Sequence, residues 1–160
     1  MIGKISEENL SECAAVIRAS FQTVADAFGF TAENAPRFTA FSVTRERLFH
    51  QLIEEHRPMF GWFEDGKIVG YYSLALLEDG VCELNNLCVL PKLRHDGIGE
   101  RLLSDALVRA GELGCRVMKL SIVEENAVLR AWYEAHGFTH TGTKKFDFFP
   151  FTCGYMEKAL

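Results

Sequence analysis

The run Arg94-His95-Asp96-Gly97-Ile98-Gly99 has the residue types of an anion-binding turn. Set between the end of a strand and the start of a helix, it would present the first backbone amides of that helix. Those amides have no partner inside the helix and lie at the positive end of its dipole. Gly97 and Gly99 remove side chains that would hold a phosphate away from the backbone, and Arg94 can add a charge-assisted donor. A plain strand-to-helix turn would use the same glycines for geometry alone, so the run by itself leaves both readings open. It lacks the Gly-Lys-Ser/Thr of a nucleoside-triphosphate loop and the three spaced glycines of a dinucleotide loop.

Other reactive side chains offer less. The cysteines at 13, 82, 88, 115 and 153 form no Cys-x-x-Cys pair, and their odd number leaves one over in any full disulfide scheme. Buried thiols in a reducing compartment are the expectation. The histidines do not fall at ligand spacing with the cysteines, so no metal is expected. Cys88 as a nucleophile would need a base or cation beside it, and its neighbours Leu87 and Val89 are neither.

The elements that must position the loop follow from periodicity. A short strand, Ile2 to Ile5, precedes a helix that Ser6 can cap, with Leu10, Cys13, Ala14, Ile17 and Phe21 recurring at helical spacing. The stretch Thr23 to Val43 mixes phenylalanines with Gly29, Asn34 and Pro36 and should hold only short, interrupted helices. Thr44 caps a helix to about His56. Met59 to Glu64, Asp65-Gly66 and Lys67 to Leu77 read as a hairpin; a further strand, Val81 to Leu90, follows the turn Asp79-Gly80 and stops at Pro91. Beyond the glycines, an apolar stripe from Ile98 through Leu102, Leu103, Ala106, Leu107 and Ala110 to Leu113 marks a helix that Gly114 can end. Val117 to Val123 is a strand. Asn126 opens a helix closed by Gly137, with Val128, Trp132 and Ala135 expected on its buried face. Strands at about Phe138 to Thr143 and Thr152 to Glu157 finish the chain. The expected class is α+β: one domain over residues 1–160 in which an antiparallel meander and a crossover strand share a mixed sheet.

Composition excludes several functions. With 48% apolar and 24% charged residues the chain falls outside the composition of disordered segments. A net charge of -5 argues against a broad nucleic-acid footprint. Apolar runs such as Gly70 to Leu77 are too short to span a membrane, and the N-terminus has no basic stretch before an apolar core, so a cytoplasmic protein is expected.

Leu87-Cys88-Val89-Leu90-Pro91 followed by Arg94-x-x-Gly97-x-Gly99 resembles the acetyl-coenzyme A motif of the GNAT acetyltransferase superfamily. Downstream, Asn126, Tyr133 and Gly137-Phe138 resemble that family's second signature, and the likeness covers the chain from about residue 60 onward. It implies a mostly antiparallel sheet that splays between two parallel strands, with helices flanking it. The amides of His95, Asp96, Gly97, Ile98 and Gly99 would take the pyrophosphate, with Arg94 beside them. Leu87, Cys88, Val89 and Asn126 would meet the pantetheine arm, which lies in the splay like an added strand.

The same likeness implies direct transfer of an acetyl group from acetyl-CoA to a primary amine. Tyr133 is the implied acid for the departing thiolate, with packing beside Leu129 as its other role. Glu83 is the implied base, acting through water, with a solvated surface glutamate as its other role. A bulge or a slip of one residue would turn Glu83 to the opposite face. The expected acceptor is a small-molecule amine; a protein amino group, or acyl-CoA sensing without turnover, are the alternatives. Acceptor recognition would fall to Phe21 through Phe41 and to Phe146 through Phe151, with Asp26, Glu33 or Asp147 holding a cationic amine. Core packing or a homodimer contact is the alternative use of those aromatics.

Overall fold

The computed structural model describes all residues 1–160. Its strands are β1 (Ile2–Lys4), β2 (Met59–Glu64), β3 (Lys67–Leu76), β4 (Val81–Val89), β5 (Val117–Val123), β6 (Thr139–Lys145) and β7 (Thr152–Ala159). They form one sheet in the order β1-β2-β3-β4-β5-β7-β6. Every neighbouring pair is antiparallel except β4 and β5. The helices are α1 (Leu10–Phe28), α2 (Thr39–Ser42), α3 (Arg45–Phe49), α4 (Ile98–Glu112) and α5 (Ala127–Ala135). The architecture is the expected α+β class with a mixed sheet.

Each sheet face is covered by a different helix set. The apolar side of α1 buries Leu10, Cys13, Ala14 and Ile17 against Met59, Ile68, Tyr71 and Cys88. On the opposite face α4 buries Leu102, Leu103, Ala106 and Ala110 against Tyr72, Leu74, Leu84 and Met118, and α5 adds Tyr133. A third, aromatic cluster joins Ala25, Phe30, Phe38 and Ala40 to Val123, Phe151 and Cys153. No helix is long and apolar enough to cross a membrane.

Three expectations are corrected. Thr23 to Val43 is less broken than its composition suggests: α1 runs on to Phe28 and ends where Gly29 turns left-handed at φ 73°. The helix after Thr44 changes pitch, from α over Arg45–Phe49 to a π turn over His50–Glu54. On α5 the buried face is not Val128, Trp132 and Ala135. Val128 is 83% exposed and Ala135 is exposed, while Leu129, Trp132 and Tyr133 face the core. The helix is rotated because Asn126 caps it at one end and Tyr133 packs edge-on against Phe138, ring centroids 5.4 Å apart, at the other.

The parallel pairing of β4 and β5 is short. Only Val81 to Glu83 pair with Val117 to Lys119; from Leu84 and Leu120 onward the two strands separate. Between the pairs Tyr71–Cys88 and Ser73–Asn85, β3 advances two residues and β4 three. The extra residue makes a bulge in which Asn86 adopts φ 55°. It inverts the alternation of β4: Leu84 faces α4, and so does Leu87, three residues on, while Cys88 joins the core under α1.

Candidate active site

Two features converge where β4 and β5 separate. The first is the loop into α4. After a single 3-10 turn, Pro91–Leu93, His95 and Gly97 take left-handed conformations at φ 69° and 85°. Gly97 is the N-cap of the 15-residue α4, and Arg101 is the first residue whose amide donates back, to the Gly97 carbonyl at 3.1 Å. The amides from His95 to Glu100 donate to nothing in the chain. A Cβ at Gly97 would meet no atom within 4 Å, and one at Gly99 would first meet Val89 Cγ2 at 3.8 Å. The loop is therefore an open set of aligned N–H groups at a positive helix end, suited to a diphosphate.

The second feature is a cavity of about 200 Å³ between the separated strands. Its walls are Leu84 to Leu87 of β4, Leu120 to Val123 of β5, and Asn126, Leu129 and Tyr133 along one face of α5. Phe21, Val24, Arg37, Phe38 and Thr39 close one end together with Phe149, Phe151 and Cys153. Both segments expected to shape an acceptor site thus reach the cavity. Asp26, Glu33 and Asp147 do not line it; Arg37 is the one charged residue that does. The acidic residues are pointed elsewhere by local structure: Asp26 accepts from Gln22 one turn back on α1 at 2.9 Å, and Glu33 and Asp147 are exposed.

The residues singled out in the sequence take different positions. Tyr133 is 6% exposed and lines the cavity. Burial first, and then the neighbouring Cys88 thiol, push its phenol well above the ordinary range, so the hydroxyl keeps its proton. Asn126 accepts at Oδ1 from the Leu129 amide at 3.2 Å, capping α5 while its side chain borders the cavity. Leu87 faces the cavity; Cys88 and Val89 are buried on either side of β4 and leave only backbone to its edge.

Arg94 points inward, away from the open amides. It donates from Nε to the Val89 carbonyl at 3.1 Å, from Nη1 to Thr23 Oγ1 at 2.9 Å and from Nη2 to the Ser20 carbonyl at 2.6 Å. It therefore ties the loop to α1. Burial lowers its pKa, with the Cys88 thiol acting in opposition. Tertiary packing thus gives Cys88 the cationic neighbour its sequence neighbours do not. Burial still dominates: the thiol is pushed up to about 12, against the lowering pull of the Ser20 hydroxyl and Arg94. A thiol so placed is not a nucleophile at neutral pH.

Glu83 precedes the bulge, on the face opposite Cys82 and Leu84, and is outside the cavity wall. With its amide nitrogen toward Glu83, Asn85 donates to Oε1 at 2.7 Å and accepts from Arg57 Nη1 at 3.3 Å. Asn85 does line the cavity, so it stands between Glu83 and the interior. Sequence reading missed Asn85 and Asn86. The signal was two adjacent asparagines inside a strand, where Asn is disfavoured but left-handed backbone at a bulge suits it.

The chain matches the acetyltransferase (GNAT) family over residues 24–138. It is 27% identical over 114 residues to an uncharacterized N-acetyltransferase of Mycobacterium bovis, covering 71% of this chain and 73% of that one. An uncharacterized N-acetyltransferase of Escherichia coli is 28% identical over 137 residues, covering 82% and 78%. Among solved structures, the PaiA N-acetyltransferase of Thermoplasma acidophilum, in complex with coenzyme A, superposes with a TM-score of 0.84 at 22% identity, covering 100% of this chain and 98% of that one. The matched span contains the bulged β4, the open loop, the separated β5 and the Tyr133 helix, and this chain belongs to the GNAT acetyltransferase family.

Proposed function

We propose that the protein transfers an acetyl group from acetyl-CoA to the primary amine of a small molecule by direct attack. The observation that carries this reading is that one strand serves both parts: β4 walls the cavity containing Tyr133 with Leu84 to Leu87, and leads directly into the loop whose amides from His95 to Glu100 are free. Acetyl-CoA supplies an activated thioester. The loop amides hold its diphosphate, the separated edge of β4 and the Asn126 side chain hold the pantetheine arm, and the bulge at Asn86 turns backbone amides toward the carbonyl. Tyr133, kept protonated by burial, gives its proton to the departing thiolate. Glu83 takes the amine proton through water, its carboxylate oriented by Asn85, its hydrogen-bond partner at the cavity wall.

An aromatic wall of Phe21, Phe38, Phe149 and Phe151 closes the acceptor end, which favours a small molecule over a folded protein surface. An acetyl-CoA-dependent reaction fits the cytoplasmic location expected from the sequence. Thiol release from acetyl-CoA across a panel of amines and peptides, with calorimetry of coenzyme A binding, tests the reading. Micromolar binding with amine-dependent thiol release is expected. Tight binding without turnover of any amine would leave an acyl-CoA sensor instead.

A further inference from the structure

Resting on the acetyl-transfer reading above, the geometry points to an acceptor that carries a carboxylate beside an apolar, preferably aromatic, body: an amino acid or a close analogue, read by Arg37. Arg37 is the only charged side chain among the cavity's 19 lining residues. Its guanidinium lies 4.2 Å from the Phe148 ring centroid and takes part in no salt bridge. Stacking on an aromatic face holds the guanidinium plane in place while leaving its edge donors unspent, the form suited to bidentate capture of a planar carboxylate.

The surroundings agree in sign. No acidic side chain lines the cavity: Asp147 and Glu33 are exposed outside it, and Glu124 and Glu125 on the β5–α5 turn hold other partners. Glu124 holds His140 Nε2 at 2.8 Å and Arg130 Nη1 at 3.0 Å. Glu125 accepts from the Thr152 amide at 2.9 Å. Lys144 sits 4.7 Å from the Phe146 ring centroid, and Lys145 donates to the Phe146 and Phe149 carbonyls, so the strap bearing Phe148 and Phe149 is backed by cations. A cationic acceptor without an anion would meet a like charge in Arg37 and no carboxylate in the cavity wall. An amine with a neighbouring carboxylate presents Arg37 with an anion while the rings of Phe21, Phe38, Phe149 and Phe151 take its apolar part.

Matched acceptors test this. Thiol release is measured for phenylalanine, leucine and methionine, each against its neutral primary amide, in wild type and Arg37→Gln. Binding of 3-phenylpropanoate to the coenzyme A-saturated protein is followed by calorimetry. The expected result is a preference in kcat/KM of about ten- to a hundredfold for the carboxylate form, the range of one charge-assisted pair, with the ratio collapsing toward one in Arg37→Gln. If none of these amines is turned over, Arg37-dependent binding of 3-phenylpropanoate still supports the inference, and no binding overturns it. Equal turnover of acids and amides, or a preference for the amides, overturns it and leaves acetyl transfer standing. A preference that survives in Arg37→Gln overturns the assignment to Arg37, as does weakened coenzyme A binding in that variant without acceptor. Failure of wild type to bind coenzyme A would instead sink the reading on which the inference rests.

Discussion

Arg94 Nη2 donates to the Ser20 carbonyl oxygen at 2.6 Å, fastening the start of the anion-binding loop to the middle of α1. The side chain that resembles a phosphate ligand in sequence is spent on holding the loop backbone in position. Arg94→Ala should therefore destabilise the protein even without coenzyme A, by about 1.5 to 3 kcal/mol for the charged hydrogen bonds lost. Thermal unfolding of the ligand-free variant checks this. Unchanged stability together with a large loss of coenzyme A affinity would return Arg94 to direct phosphate contact.

Gly99 separates fold from binding. Since a Cβ there meets only ordinary contacts, Val89 Cγ2 at 3.8 Å and Trp132 Cζ2 at 3.9 Å, Gly99→Ala should fold normally. Gly99→Asp places a carboxylate among the free amides and should weaken coenzyme A by about tenfold or more, the scale of a charge at a helix terminus. Calorimetry of both variants is the measurement; equal affinity for Asp and wild type would remove the diphosphate from this loop.

Tyr133→Phe keeps the ring that packs on Phe138 and Trp132 and removes only the hydroxyl. The expected outcome is a fall in kcat of about a hundredfold or more, as for loss of a general acid, with little change in coenzyme A affinity. Near-normal kcat would confine Tyr133 to packing.

Asn126→Ala removes the cap bond to the Leu129 amide and should cost about 1 kcal/mol of stability. If its amide also holds the pantetheine arm, Asn126→Asp, which keeps a capping oxygen, should restore stability while coenzyme A affinity stays low. Full recovery of both would limit Asn126 to its helix.

Alkaline pH should expose the buried thiols. Burial raises Cys13, Cys82 and Cys88 from 9.0 to about 12, so the folded state keeps protons that the unfolded state gives up. Their contribution to stability is complete below the unfolded pKa and is lost as pH rises through the window between 9 and 12. Midway through that window each buried thiol removes on the order of 1 kcal/mol per pH unit. Urea midpoints that hold level to about pH 8 and then fall are expected; a midpoint steady to about pH 10.5 would contradict such burial.

Much of this protein was determined locally, and local patterns read well. Period-two runs around Asp65-Gly66 and Asp79-Gly80 specify the β2–β3–β4 meander, because those turns accept left-handed backbone at Asp65, Gly66, Asp79 and Gly80. The glycines before Ile98 and the apolar stripe behind it specify a helix whose first amides stay open. Asn126 and Gly137 bound α5 for equally local reasons, a cap oxygen and a positive φ of 90°. The rest depended on contacts distant in sequence. Pairing of β7 between β5 and β6 is set by long-range registry, such as Leu120 with Met156. Across the bulge at Asn86, β3 keeps Tyr72 and Leu74 on the α4 face while β4 changes phase to put both Leu84 and Leu87 there, a match absent from either strand alone. Packing of the loop against α1 turned Arg94 inward, and the folding of the 146–151 strap over the loop before α2 placed Arg37, which no motif marks, at the cavity where a carboxylate would find it.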